Sequence, residues 1–387
     1  MARCLLLKVT LLCSLCLSAM AWEGPQASRL VGSNLTVEVN SSRSLYDIAR
    51  ESGYALEHLA EANSLPVNLG PVSRSKLLIP GLRIVPRDAP EQGIVVNLPE
   101  RGFYVFRKDE QARFFPIAIG QPGRFQTPVG SYSVREKVVN PEWVAPEWAG
   151  MGEDNVVPAG PNNPLGDRWI GVSAGGLGMH STNNPASIGS ASSHGCMRMY
   201  PEIARTVFDL VEVGWPVQIQ YRTARVSLEE DGIYVSSFAD PYTQGGRAEQ
   251  LLKDFEDLDI TGFAALLDLE ALLARADGVC RKVVDLGVAV SVSGEKFQGA
   301  RIGQRVFLTG EAVEALGLKQ NFNLVNKTVV VEGQDREVTM PLARASSGAG
   351  AVFLSRGSAW FPAKELLSNL SLSYEWLNEE KLLRVTP

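Results

Sequence analysis

Apolar positions along the chain fall into three regimes. An alternating run at residues 35–39 predicts a strand. Helical spacing at Leu45, Ile48, Ala49 and again at Leu56, Leu59, Ala60 predicts two short helices, and Leu77, Leu78, Ile79, Pro80 a closing strand. From residue 94 to about 221, short β-like runs at 93–98, 102–107 and 114–120 are separated by glycine and proline, which predicts a mostly-β domain. One helix interrupts it, starting at Pro201, using Ile203, Val207, Leu210 and Val211, and stopping at Gly214. Residues 248–274 read as helical, with Leu251, Phe255, Phe263, Leu266, Leu267 and Leu272 available for burial, and Cys280 is expected to close this helix. From Val288 onward, Arg305, Val306, Phe307, Leu308 lead through Ala312 and Leu316 to residues 328–331. Ala359, Trp360, Phe361, Pro362 lead likewise through Leu366 to residues 382–385. Both stretches read strand, helix, strand, a weak internal repeat.

At 387 residues and 45% hydrophobic composition, the chain exceeds one ordinary core and is expected to be multidomain. Residues 1–21 carry Arg3 and Lys8, an apolar run and an Ala19, Met20, Ala21 frame, which predicts a cleavable export leader too short to span a bilayer. The bulky Leu12 and Leu15 before Cys13 and Cys16 disfavour a lipidated cysteine there. Losing the leader shifts the formal net charge from −6 to −8 and leaves two of the five cysteines, Cys196 and Cys280, expected as free thiols. The acidic balance argues against a nucleic-acid partner, and no later segment is apolar and long enough for a membrane span.

The candidate chemistry centres on Cys196. The chain has three histidines, and two of them, His180 and His194, precede this thiol closely. A thiol of ordinary pKa is mostly protonated at neutral pH, so a nearby imidazole is needed to take its proton. That base must itself be aimed by a fixed acceptor, for which a backbone carbonyl serves as well as a carboxylate. Gly195 lets the chain turn sharply and bring N–H groups from Gly195 and Cys196 to a reacting oxygen. Arg198 can either recognise a substrate carboxylate or brace the loop. Zinc is a competing reading for His180, His194 and Cys196, but no fourth ligand is evident, so neither metal nor cofactor is expected.

Ser193, His194, Gly195, Cys196, Met197, Arg198 resemble the nucleophile signature of the YkuD-type L,D-transpeptidases, and Gly178, Met179, His180, Ser181, Thr182 resemble the same family's base motif. Gly120 with Thr127, Pro128, Val129, Gly130, and Asn163, Pro164, Leu165, Gly166, are further matches, so the resemblance covers about residues 93–222. It implies Cys196 as nucleophile, His180 as general base and the Ser181 carbonyl as the group orienting the imidazole. His194 and Gly195 would shape the oxyanion pocket, and Arg198 and Ser193 would bind substrate. The implied reaction attacks the third residue of a peptidoglycan tetrapeptide stem and expels its terminal D-alanine. The resulting thioester passes to an amine of a second stem, giving a 3–3 cross-link, or to an envelope lipoprotein. Water as acceptor would make the enzyme a carboxypeptidase.

Residues 35–86 resemble a LysM module, a binder of N-acetylglucosamine-containing glycan, through Leu45, Tyr46, Asp47, Ile48, Ala49, then Leu59, Ala62, Asn63, then Leu78, Ile79, Pro80. Ser41, Ser42, Arg43 stand where that family usually has Gly, Asp, Thr. Residues 285–387 resemble the copper amine oxidase N-terminal-like α+β domain with two related halves, although no histidine follows His194. The expected architecture is therefore a leader, a βααβ module, a mostly-β catalytic domain, a helical segment at 245–280 and an α+β domain. The expected location is the periplasm or cell wall. A cysteine hydrolase and a non-catalytic wall-binding adaptor are the rival functions.

Overall fold

The computed structural model describes residues 28–386 apart from 41, 73, 147–148, 152–154 and 343–349. The expected export leader, and Ser41 of the LysM-like turn, lie outside the described residues. By contacts the chain divides into one unit ending near Leu286 and a second beginning at Gly287.

In the first unit, Ser44 starts the helix Leu45–Ser52 by accepting the Asp47 N–H, and Gly53, at φ +75°, ends it. The helix Leu56–Asn63 packs beside it over the antiparallel pair Asn34–Glu38 and Lys76–Pro80. Leu45, Ile48, Leu59 and Leu77 close this small core. Asn63 clasps the last strand: its amide nitrogen donates to the Leu59 and Leu78 carbonyls and its oxygen accepts the Leu78 N–H, each at 2.8 Å.

The mostly-β part that follows is built on two larger sheets. Five strands run in the order Arg113–Pro116, Gly102–Phe106, Gly93–Asn97, Pro216–Gln220, Gly130–Ser133, with Pro216–Gln220 parallel to Gly93–Asn97. Four more run Glu136–Val139, Arg168–Gly171, Gly178–His180, Met197–Arg198. Ile94, Val96, Phe103, Met179, Met197 and Val207 belong to one core, to which the helix Pro201–Leu210 contributes Ala204 and Val207. That helix ends at Leu210 rather than running to Gly214, and residues 114–120 form two strands, Arg113–Pro116 and Ile119–Gly120, because the second leaves its neighbour to pair with Ala191–Ser193.

The small module is docked on this domain. Ala55 packs with Ala118, Ile188 and Tyr200. A Cβ at Gly189 would fall 2.4 Å from the Ala55 Cβ, so only glycine allows the approach. Arg101 meets Glu61 at 2.5 Å in a largely desolvated pair, whereas Arg50 holds Glu202 at 2.9 and 3.1 Å near the surface and adds at most about 1 kcal/mol.

Beyond residue 222 the hairpin Ala224–Glu229 and Gly232–Ser237 was not anticipated, and residues 248–274 are three helices, Arg247–Asp257, Thr261–Ala264 and Leu269–Arg275. Asp259, at φ +56°, turns the chain between the first two. Cys280 closes no helix: it is buried in the connection before the strand Arg281–Val292. In the second unit, Arg305–Thr309 pairs antiparallel with Ser358–Pro362, and each is followed by a helix, Gly310–Ala315 or Ala363–Asn369. Each helix then leads into a hairpin, Lys319–Asn323 with Thr328–Glu332 and Ser373–Leu377 with Leu382–Thr386, so the repeat has one strand more per half than expected.

Candidate active site

Alternation along two adjacent strands sorts the key residues. Gly178–His180 and Met197–Arg198 pair in parallel, Met179 opposite Met197 and His180 opposite Arg198. Met179, Met197 and Met199 are wholly buried, so period-two geometry puts His180, Cys196 and Arg198 on the other face. There they line one cleft of about 860 Å³, with Trp143, Trp169 and Pro164 among its walls.

His180 is buried, and its Nδ1 donates to the Ser181 carbonyl at 2.5 Å. Trp169 stacks on its ring at 5.9 Å and crosses Gly178, where a Cβ would come within 2.4 Å of the indole. Burial, aided by the nearby Arg198 charge, lowers the His180 pKa to about 4, so the imidazole is neutral across the physiological range and able to accept a proton. Burial raises the Cys196 thiol above its ordinary value, while the Gly178 N–H and the Arg198 charge act the other way. A thiol and a neutral imidazole thus line the same cleft, the Cys196 Sγ donating to the Gly176 carbonyl at 3.4 Å.

The loop joining these strands is braced from within. Gly195 sits at φ +112°, a conformation that side-chain-bearing residues rarely adopt. Ser193 lines the cleft, and its hydroxyl donates to the Cys196 carbonyl at 2.5 Å and accepts the Gly195 N–H at 3.2 Å, so it also holds the loop. His194 is exposed at the cleft, edge-on to Phe125 at 4.5 Å. The Gly195 N–H is taken by Ser193, whereas the Cys196 N–H has no protein acceptor among the described residues. Arg198 is half-buried and forms no ion pair among the described residues; burial lowers its pKa. Asn163, fully buried, donates to the Pro141 and Val157 carbonyls at 2.9 and 3.2 Å and accepts the Leu165 N–H at 2.8 Å, fastening one wall of the cleft.

Trp169 was not singled out in the sequence; its place opposite His180 comes from strand register, which no local motif encodes. Tyr242, far along the chain, also reaches this site through Gly120 and Thr127.

Residues 91–219 match the family model of the YkuD L,D-transpeptidase catalytic domain. The chain is 36% identical over 219 residues to "Probable L,D-transpeptidase ErfK/SrfK" of Escherichia coli strain K12, covering 54% of this chain and 70% of that protein. It is 31% identical over 293 residues to "Probable L,D-transpeptidase YcfS" of the same strain, covering 72% and 90%. The NMR structure of the catalytic domain from E. faecium L,D-transpeptidase is similar at TM-score 0.28 and 22% identity, over 34% of this chain and 99% of that one. The chain belongs to the L,D-transpeptidases and is an enzyme of that type.

Proposed function

We propose that Cys196 forms a thioester with the third residue of a peptidoglycan tetrapeptide stem and passes that acyl group to an amine. The observation that carries this reading is that His180, on the strand Gly178–His180, and Cys196, directly before the neighbouring strand Met197–Arg198, line one cleft, with the imidazole hydrogen-bonded to the Ser181 carbonyl. In the first step the sulfur attacks the stem carbonyl while His180 takes the thiol proton. The carbon–nitrogen bond to D-alanine then breaks, and the imidazolium returns the proton to the departing amine. In the second step an acceptor amine attacks, the carbon–sulfur bond breaks and the thiol is restored. The Cys196 N–H, with Gly195 and His194 around it, faces the oxyanion. Arg198, which lines the cleft and has no carboxylate partner among the described residues, binds a carboxylate of the stem. The acceptor is the side-chain amine of a second stem, giving a 3–3 cross-link, or an amine of an envelope lipoprotein.

On this reading the chain is exported to the periplasm or cell wall. Residues 35–86 are a LysM-like module that holds glycan while the docked catalytic domain works on the attached peptide. The βααβ order with its antiparallel strand pair supports this. Residues 285–387 are a copper amine oxidase N-terminal-like domain for adhesion to wall or partner, supported by its two related halves.

Incubating the purified protein with disaccharide tetrapeptides tests the chemistry. Dimeric muropeptides and free D-alanine are expected, both absent in Cys196→Ala. Tripeptide without dimer would turn the reading to hydrolysis, and no D-alanine from the wild type would sink it.

A further inference from the structure

Tyr242 lies beyond residues 91–219, which match the family, yet its side chain is buried in the catalytic core at 5% exposure. Its hydroxyl donates to the Gly120 carbonyl at 2.8 Å and accepts the Thr127 N–H at 3.1 Å. The Thr127 hydroxyl accepts the Gly120 N–H at 2.9 Å and donates to the Gly195 carbonyl at 2.8 Å. Each hydroxyl has a single proton, and both are committed, so the direction of the path is set. A Cβ at Gly120 would fall 2.0 Å from the Phe125 carbonyl oxygen, so glycine is what lets these segments close together.

The path ends at the peptide that precedes the Cys196 side chain. No cis peptide bond occurs among the described residues, and in a trans peptide the carbonyl and the N–H point in opposite directions. Drawing the Gly195 carbonyl toward Thr127 therefore turns the Cys196 N–H the other way. Tyr242 is in turn anchored: its N–H donates to the Tyr221 hydroxyl at 2.9 Å, the two rings stack at 5.6 Å, and Tyr221 donates to Asp240.

We propose that Tyr242 is a positioning residue for acyl transfer, setting through Thr127 the Gly195–Cys196 peptide so that the Cys196 N–H meets the oxygen of the carbonyl under attack. This rests on the reading of Cys196 as nucleophile. It makes a segment outside the catalytic domain part of the catalytic geometry, and it separates two properties of one loop. Oxyanion stabilisation depends on the hydroxyl path, whereas the nucleophilicity of the sulfur does not.

The test uses the full chain with Tyr242→Phe, Thr127→Val and Thr127→Ser. Release of D-alanine from a disaccharide tetrapeptide passes through an oxyanion. Alkylation of Cys196 by iodoacetamide, a displacement at saturated carbon, does not. In Tyr242→Phe and Thr127→Val, kcat should fall about 10- to 100-fold with KM within about twofold. Alkylation should stay within about twofold in all three variants, and Thr127→Ser, which keeps the hydroxyl, should recover most of kcat. Unchanged kcat in Tyr242→Phe and Thr127→Val would overturn the proposal, and so would a parallel fall of kcat and alkylation. Wild type against Cys196→Ala reports separately on the functional reading. The NMR amide resonance of Cys196 needs no turnover: it should move in Tyr242→Phe, and an unmoved resonance overturns the positioning role.

Discussion

The loop carrying Cys196 and the connection carrying Cys280 place the same side chain in two kinds of burial. Desolvation disfavours the thiolate in both. At Cys280 it pushes the thiol up to about 12; the nearby Arg83 opposes this, but the Glu229 and Glu100 carboxylates add to it. At Cys196 the Gly178 N–H and the Arg198 charge oppose burial, and a neutral imidazole shares its cleft. With Cys196 as the proposed nucleophile and His180 as its proposed base, the contrast teaches that reactivity would depend on fixed donors and a nearby imidazole rather than on exposure alone.

The largest expected effect breaks the comparison outright. Cys196→Ala should abolish D-alanine release while Cys280→Ala leaves it within about twofold, because among the described residues only the first thiol lines a cleft together with His180; a comparable loss from Cys280→Ala would overturn the distinction. Next, His180→Gln keeps size and polarity but supplies no base, and kcat should drop about 10²- to 10⁴-fold in steady-state assays. Gly195→Ala forces a side chain to φ +112° and should cost about tenfold or more in kcat, readable in the same assay.

The pH dependence sharpens the comparison. His180 titrates near 4 in the folded chain and near 6.5 when unfolded. Between those values only the unfolded chain takes up this proton, so stability is unaffected above pH 6.5 and lost as pH falls toward 4, by about 3 kcal/mol from this group. Urea denaturation of wild type and His180→Gln at pH 7.5 and 4.5 should show a smaller acid loss in the variant.

The smallest effect lies where the helix Leu56–Asn63 meets the mostly-β domain at Gly189. Burial raises Glu57 to about 7. Its stabilising protonated form is fully held at pH 4.5 and below, and that contribution is lost as pH rises through 7. Glu57→Gln should therefore raise stability at pH 8 by about 1 kcal/mol, discounted for partial exposure, and by nothing at pH 4.5. Equal shifts at both pH values in thermal melts would rule out this cause.

The candidate site residues were legible as short contiguous motifs, residues 178–182 and 193–198, and strand alternation explains how the fold arranges them. With Met179 and Met197 as core positions, His180, Cys196 and Arg198 must share the opposite face. The polarity of Ser193 suits substrate as well as its own loop, and only the folded turn shows that its hydroxyl also braces that loop. The hairpin Ala224–Glu229 with Gly232–Ser237 escaped notice because its polar positions are buried too: Arg225 faces Glu100 at 3.7 Å, which also pairs with Arg83 at 3.3 Å. Such a strand lacks the wet face by which alternation is usually recognised.

What the amino-acid order determined alone was which residues carry reactive groups, which positions alternate into a core and where glycine must bend the chain. Those properties depend on neighbours one to four residues apart. Tertiary structure alone decided that Trp169 lies over His180, that the helical run breaks at Asp259 and that Tyr242 reaches the nucleophile loop. These outcomes depend on strand register and on buried donors finding acceptors across long loops, and neither leaves a periodic mark in the sequence.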